Sequence, residues 1–189
     1  MALTCEVDMA LTKEDRKKLF KYFMSDALLS VEEVIGTLDD VGFFTAPAST
    51  KYHGNYEGGL FDHSYAVACK LCEMTDKMEL SWERAASPKI VGMLHDVCKC
   101  DSYIKNMDDT YSHNKKKLLA GHGDASVILC QAIECLPALT TEEILCIRYH
   151  MGAYEDPGVW DNYGEAISRY ENVLWTHTAD MYASKVEGT

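Results

Sequence analysis

The chain has 189 residues, enough for one globular domain whose core needs no disulfide or structural metal. Its formal charge of −12 argues against a broad phosphate-backbone footprint and favours a small ligand over long nucleic acid. The acidic opening MALTCEVDM, and the lack of any apolar run near the ~20 residues that span a bilayer, predict a cytoplasmic protein without membrane contact.

Helical signals follow one another along the chain. Thr12 with Asp15 opens a capped amphipathic helix to Met24, and Ser30 with Glu33 is a capping box for a second helix that Gly42 closes. Residues 43–59, with Pro47, Gly54, Gly58 and Gly59, read as a loop. A third helix is expected from Leu60 to Met78, with Leu60, Val67, Leu71, Met74 and Met78 along one side. Ser87 and Pro88 read as cap and first-turn proline of a fourth, which carries Ile90, Val91, Leu94, His95 and Asp96.

Residues 101–117 are polar and loop-like, with a single basic cluster at Lys115, Lys116 and Lys117. The next helix begins near His122 or Asp124 and continues through Ile133 to Leu136, where Pro137 stops it. Thr140 with Glu143 caps a further helix ending at His150, and Gly152 follows as its C-terminal glycine. After turn-rich residues 153–163, one long helix covers Glu165 to Lys185 and holds Asp180. No segment alternates apolar and polar residues, so an all-α bundle is expected. Residues 1–45 form a helical extension packed on a main unit of residues 46–189. Cys69-x-x-Cys72 and Cys98-x-Cys100 fall mid-helix instead of on turns, so the eight cysteines read as reduced core side chains, not a zinc knuckle.

Six groups stand out as metal ligands: His63 in GGLFDHS, His95 and Asp96 in LHDVCK, His122 in AGHGD, His150 in RYHMG and Asp180 in HTADMYAS. Imidazole and carboxylate suit borderline divalent metals such as iron, manganese, nickel or zinc. Six ligands exceed what one metal with an open position can use. Two metals bridged by Asp96 use them economically.

The order H…HD…H…H…D, with the flanking motifs GGLFDHS, LHDVCK, GHGD, YHMGAYE and HTADMYASK, resembles the HD superfamily of metal-dependent phosphohydrolases from about Pro47 to Lys185. It looks most like the HD domain of bacterial 3′-to-5′ exoribonucleases and stand-alone relatives. The resemblance implies a helical bundle with the metal site between helices. It also implies a first metal on His63, His95, Asp96 and Asp180, and a second on His122, His150 and the bridging Asp96. Met151 stands where many relatives have a second histidine, and the glycine-tyrosine-proline motif of trinuclear cyclic-di-nucleotide phosphodiesterases is absent, so two metals are expected, not three. No second nucleic-acid-binding domain is expected ahead of the HD region, which argues against a processive exonuclease.

The implied activity is hydrolysis of a nucleotide or other small phosphoester by metal-activated water. Iron or manganese are the first metals to consider, with nickel, zinc, cobalt or magnesium as alternatives. Asp96 and Lys99 are the catalytic candidates, Lys99 because relatives place there a lysine that contacts a phosphate oxygen. His53, Arg148 and Lys115 are the substrate-binding candidates. His177, three residues before Asp180, is a candidate supporting partner, and His113 reads as a surface residue. Two rivals use the same residues: a mixed-valent diiron oxygenase of the same superfamily, and a non-catalytic metal- or nucleotide-binding module.

Overall fold

The computed structural model describes residues 11–189. In chain order the helices are α1 (Lys13–Met24), α2 (Val31–Asp40), α3 (Gly59–Met78), α4 (Ser87–Leu94), α5 (His122–Ala132), α6 (Thr141–Arg148), α7 (Trp160–Arg169) and α8 (Asn172–Tyr182). A two-stranded antiparallel hairpin, β1 (Tyr103–Lys105) and β2 (Tyr111–His113), pairs Tyr103 with His113. The all-α expectation holds, with this hairpin as its one unforeseen addition among the described residues. Three-residue strands are too short to register as alternation in a sequence.

Burial explains the packing. Phe20 of α1 meets Phe44 edge-on at 5.8 Å, and Phe43 and Phe61 complete a fully buried aromatic cluster between α1, the 43–59 loop and α3. Leu60, Val67 and Leu71 continue that face of α3 into the core, as its spacing predicts. Among the described residues no helix is long and apolar enough to cross a membrane.

Two close helix contacts set the frame for the site. A Cβ on Gly92 would lie 2.3 Å from Ala68 Cα, and one on Gly123 would lie 2.1 Å from the Arg148 carbonyl oxygen. The missing side chains let α4 press on α3 and α5 on α6.

Buried ion pairs lock the same elements. Arg16 of α1 donates from Nε and Nη2 to the two oxygens of Asp62, at 2.8 and 2.7 Å, and from Nη1 to the Leu11 carbonyl. Both partners are buried, and Asp62 is the neighbour of His63. At the other end, Glu143 closes the α6 capping box with Thr140 and also accepts from Arg84 and Ser87. Asn172 at the start of α8 donates to Glu142 at 2.8 Å and to the Ser81 carbonyl at 2.7 Å.

Local details differ from the sequence reading. Thr12 caps α1 with its capping box as expected, whereas Ser30 makes no side-chain cap for α2. Gly42 does close α2, with φ +87° and the Phe43 amide donating to the Leu38 carbonyl. Ser87 lies inside α4, its hydroxyl drawn away to Glu143, and the N-cap is Ala86. Helix α5 stops at Ala132 because Ile133 turns extended into the core, four residues before Pro137. The expected long final helix is two, since Tyr170 is extended and Asn172 anchors α8 separately. Cys69 is disulfide-bonded, correcting the expectation of thiols throughout; Cys72, Cys98, Cys100, Cys130, Cys135 and Cys146 are free.

Replacing Arg16 by Met would leave Asp62 as a buried unpaired charge, at a cost of about 3–5 kcal/mol in urea unfolding. The double variant Arg16→Met/Asp62→Leu should recover most of that loss. A single-variant loss near zero would contradict the role assigned to the pair.

Candidate metal centre

The site is assembled largely from helix ends. His63 lies in the second turn of α3, and His95 caps the C-terminus of α4. Asp96 falls outside α4, at φ −111° and ψ 14°, where it introduces a 3₁₀ turn over Val97–Asp101. His122 is the first residue of α5, His150 lies two residues past α6, and Asp180 sits on α8. Because side chains at i and i+3 eclipse in a 3₁₀ turn, Lys99 stands directly over Asp96, its Nζ 2.5 Å from Oδ2.

The Asp96 carboxylate is the meeting point. Its Oδ2 lies 3.5 Å from His63 Nε2 and 3.4 Å from His95 Nε2, and Asp180 Oδ1 is 3.2 Å from His63 Nε2. Its Oδ1 lies 2.6 Å from His122 Nε2 and 3.4 Å from His150 Nε2. One carboxylate thus faces two separate sets of groups through its two oxygens.

The far side of each imidazole explains why these faces matter. Carbonyl groups left free in the last turn of a helix take the Nδ1 of His95 and His150: Gly92 at 2.8 Å and Ile147 at 2.7 Å. His63 Nδ1 meets the Thr189 carbonyl at 3.0 Å. A carbonyl only accepts, so each Nδ1 carries a proton and each ring turns its Nε2 inward. The Nε2 atoms of His63, His95 and His150 are buried without a hydrogen-bond partner, and they face carboxylate oxygens that are also acceptors. Acceptors converging in a buried space call for cations between them. The donor set therefore fits divalent metal, and three overlapping groups qualify: His63, His95 and Asp180; His95, Asp96 and His150; Asp96, Cys98 and His122.

Charge is distributed to match. Burial alone would favour neutral Asp96, but Lys99, His95 and His122 hold its pKa well below the usual carboxylate range. Burial likewise opposes ionisation of Asp180, and His63 overcomes it and keeps that pKa low. Burial lowers the pKa of His150. His122 goes the other way: burial disfavours its cation, yet Asp96 prevails and raises its pKa to about 10.

A cleft of about 280 Å³ opens onto Asp96, Lys99, His122 and Asp180, and His53, Tyr103, Tyr154 and Lys185 are among its walls. The His53 ring lies tilted against the His63 ring, 4.9 Å away, and burial together with His63 and Lys99 pushes its pKa down to about 4. His177 supports the centre from outside, its Nδ1 on the His150 carbonyl at 2.8 Å.

Two sequence candidates lie apart from this cleft. Arg148 is engaged by Asp124 and by Glu155, and Lys115 is exposed in the chain leaving β2; neither lines the cleft. Lys185, Tyr103 and Tyr154 take the wall positions instead. Tyr154 and Lys185 lie within the YHMGAYE and HTADMYASK segments but, like Tyr103, are not ligand-type residues, so the sequence reading passed over them. Cys98, read as a core side chain, is buried but touches His122.

No family model matches the chain, and no solved structure matches it. Among curated proteins it is similar to a dihydroneopterin 2′,3′-cyclic phosphate phosphodiesterase of Methanocaldococcus jannaschii, with 29% identity over 113 residues. The match covers 53% of this chain and 41% of that protein, so the chain spans less than half of its relative's length.

The His122–Asp96 pair has a pH signature in metal-free protein. With the folded pKa near 10 and the ordinary histidine value 6.5, its stabilisation is complete below pH 6.5, while Asp96 stays ionised, and is lost as pH rises through about 10. The stability advantage of wild type over His122→Gln should therefore shrink between pH 6.5 and 10 in urea titrations at fixed salt. An advantage that stays constant or grows across that window would contradict the pairing.

Proposed function

We propose that this chain is an HD-superfamily phosphohydrolase that binds two divalent metals and cleaves a small phosphoester. The observation that carries the reading is the shared Asp96 carboxylate, each oxygen facing its own group of inward-turned ligands. Similarity to a phosphodiesterase supports phosphoester hydrolysis over oxygen chemistry, and its name makes a 2′,3′-cyclic phosphate a natural first substrate to try. The narrower kinship with exoribonuclease-type HD domains rests on the GGLFDHS and LHDVCK motifs.

In this reading His63, His95, Asp96 and Asp180 hold one metal, and His122, His150 and Asp96 hold the other. Bound divalent metals supply Lewis acidity toward phosphoryl oxygens and make a neighbouring water acidic enough to attack near neutral pH. The remaining work falls to the chain. Asp96 stays ionised through contact with Lys99, and Lys99, at the cleft floor, offers its ammonium to a phosphoryl oxygen as negative charge develops. His53, neutral at physiological pH, donates a hydrogen bond to the substrate but is not a cationic acid. Lys185 at the rim adds positive charge where the substrate enters, and Arg148 and Lys115 have no part in the reading. Helix α1 braces α3 through Arg16 and Asp62, α2 is tied to α1 through Asp39, and neither lines the cleft.

Protein purified without chelator should carry close to two transition-metal equivalents by elemental analysis. With manganese or ferrous iron it should hydrolyse bis(p-nitrophenyl) phosphate or a nucleoside 2′,3′-cyclic phosphate. Lys99→Met should lower kcat/KM about 10²–10³-fold while keeping its metals, and Asp96→Ala should lose both metals. Metal-loaded protein that leaves every phosphoester in such a panel intact, or consumes oxygen with ferrous iron instead, would overturn the proposal.

A further inference from the structure

The three other histidine ligands of the proposed centre are fully buried and have Nδ1 fixed by a main-chain carbonyl, whereas His122 is 28% exposed and has no carbonyl there. The atom facing its Nδ1 is Cys98 Sγ, at 3.3 Å. Cys98 is itself buried, and its position is held from both sides. Its amide donates to Ser126 Oγ at 3.3 Å, and its carbonyl accepts from Ser102 Oγ at 3.0 Å. Ser126 lies four residues beyond His122, one turn along α5.

The consequence is a joint between two elements. The 3₁₀ turn brings Asp96 and Lys99, α5 brings His122, and Cys98 touches α5 at two successive turns through its thiol and its amide. Two fixed points determine both the distance of α5 from the turn and the rotation of the His122 ring. With Nδ1–H donating to sulfur, Nε2 is turned toward Asp96 Oδ1, to which it donates in metal-free protein, and toward the second metal position. Sulfur is a weaker acceptor than the carbonyls that serve His63, His95 and His150.

We propose that Cys98 is a positioning residue that orients His122 for the second metal, and that its weaker hold makes this position the more readily exchanged of the two. The proposal rests on the dinuclear reading given above. The side chain acts through His122 and does not itself reach a substrate.

The test uses the full chain stripped of metal and titrated with manganese. Wild type should take up two equivalents, the second more weakly than the first. Cys98→Ala should weaken the second equivalent about 10–100-fold and leave the first unchanged, and Cys98→Ser, which restores an acceptor of similar reach, should return it toward wild type. Two equivalents bound by Cys98→Ala as tightly as by wild type would overturn the proposal, as would failure of Cys98→Ser to rescue. A readout without metal separates this inference from the dinuclear one. In ¹⁵N NMR of metal-free protein the His122 Nδ1–H should exchange slowly with water in wild type and Cys98→Ser, and at least about tenfold faster in Cys98→Ala, where the hydrogen bond is gone. Unchanged exchange in Cys98→Ala defeats the positioning role, whereas wild type binding fewer than two equivalents defeats the dinuclear reading and leaves the exchange result to decide the contact.

Discussion

Asp96 is a buried carboxylate kept ionised in an apolar interior, and the rest of the site is arranged around that constraint. Removing such a charge from water is costly unless partners surround it. Lys99 supplies a full positive charge at 2.5 Å, and four imidazoles complete the shell. In the metal-free state His122 carries a proton to help balance this charge. A metal held by His122, as proposed, would have to displace that proton.

The bundle serves the site by ending helices at the right places. A C-terminal turn leaves carbonyls unpaired, and His95 and His150 use them to fix the proton on the outer nitrogen, which frees the inner one. Close approach at Gly92 presses α4 on the middle of α3, and at Gly123 the start of α5 on the end of α6. Outside the centre, the Arg16–Asp62 pair and the Glu142–Glu143 network hold those helices in register. At the periphery ionised groups bind each other, and at the centre they gather around Asp96.

Much of this was legible in the residues. Apolar spacing and capping pairs gave the helices, most accurately where the cap itself is formed, as at Thr12 and Thr140. The six candidate ligands stand out because imidazole and carboxylate types recur in distinctive motifs, and the structure brings those six side chains together. What could not be read depends on tertiary contacts. Ser30 and Ser87 have capping chemistry, but Ser30 sits at the α2 N-cap without a side-chain bond and Ser87 gives its hydroxyl to Glu143. Arg148 looked available for substrate until Asp124 and Glu155 were seen to occupy it. Cys98 gave no signal, since a thiol two residues after Asp96 reads as core unless one knows that His122 lies against it.

The central claim is that one carboxylate is shared by two metals. Anomalous diffraction from crystals of the protein loaded with manganese tests it most directly. The account predicts two peaks about 3.5–4 Å apart, one beside each oxygen of Asp96, with His63, His95 and Asp180 at the first and His122 and His150 at the second. A single peak, or two peaks of which only one contacts Asp96, would contradict it.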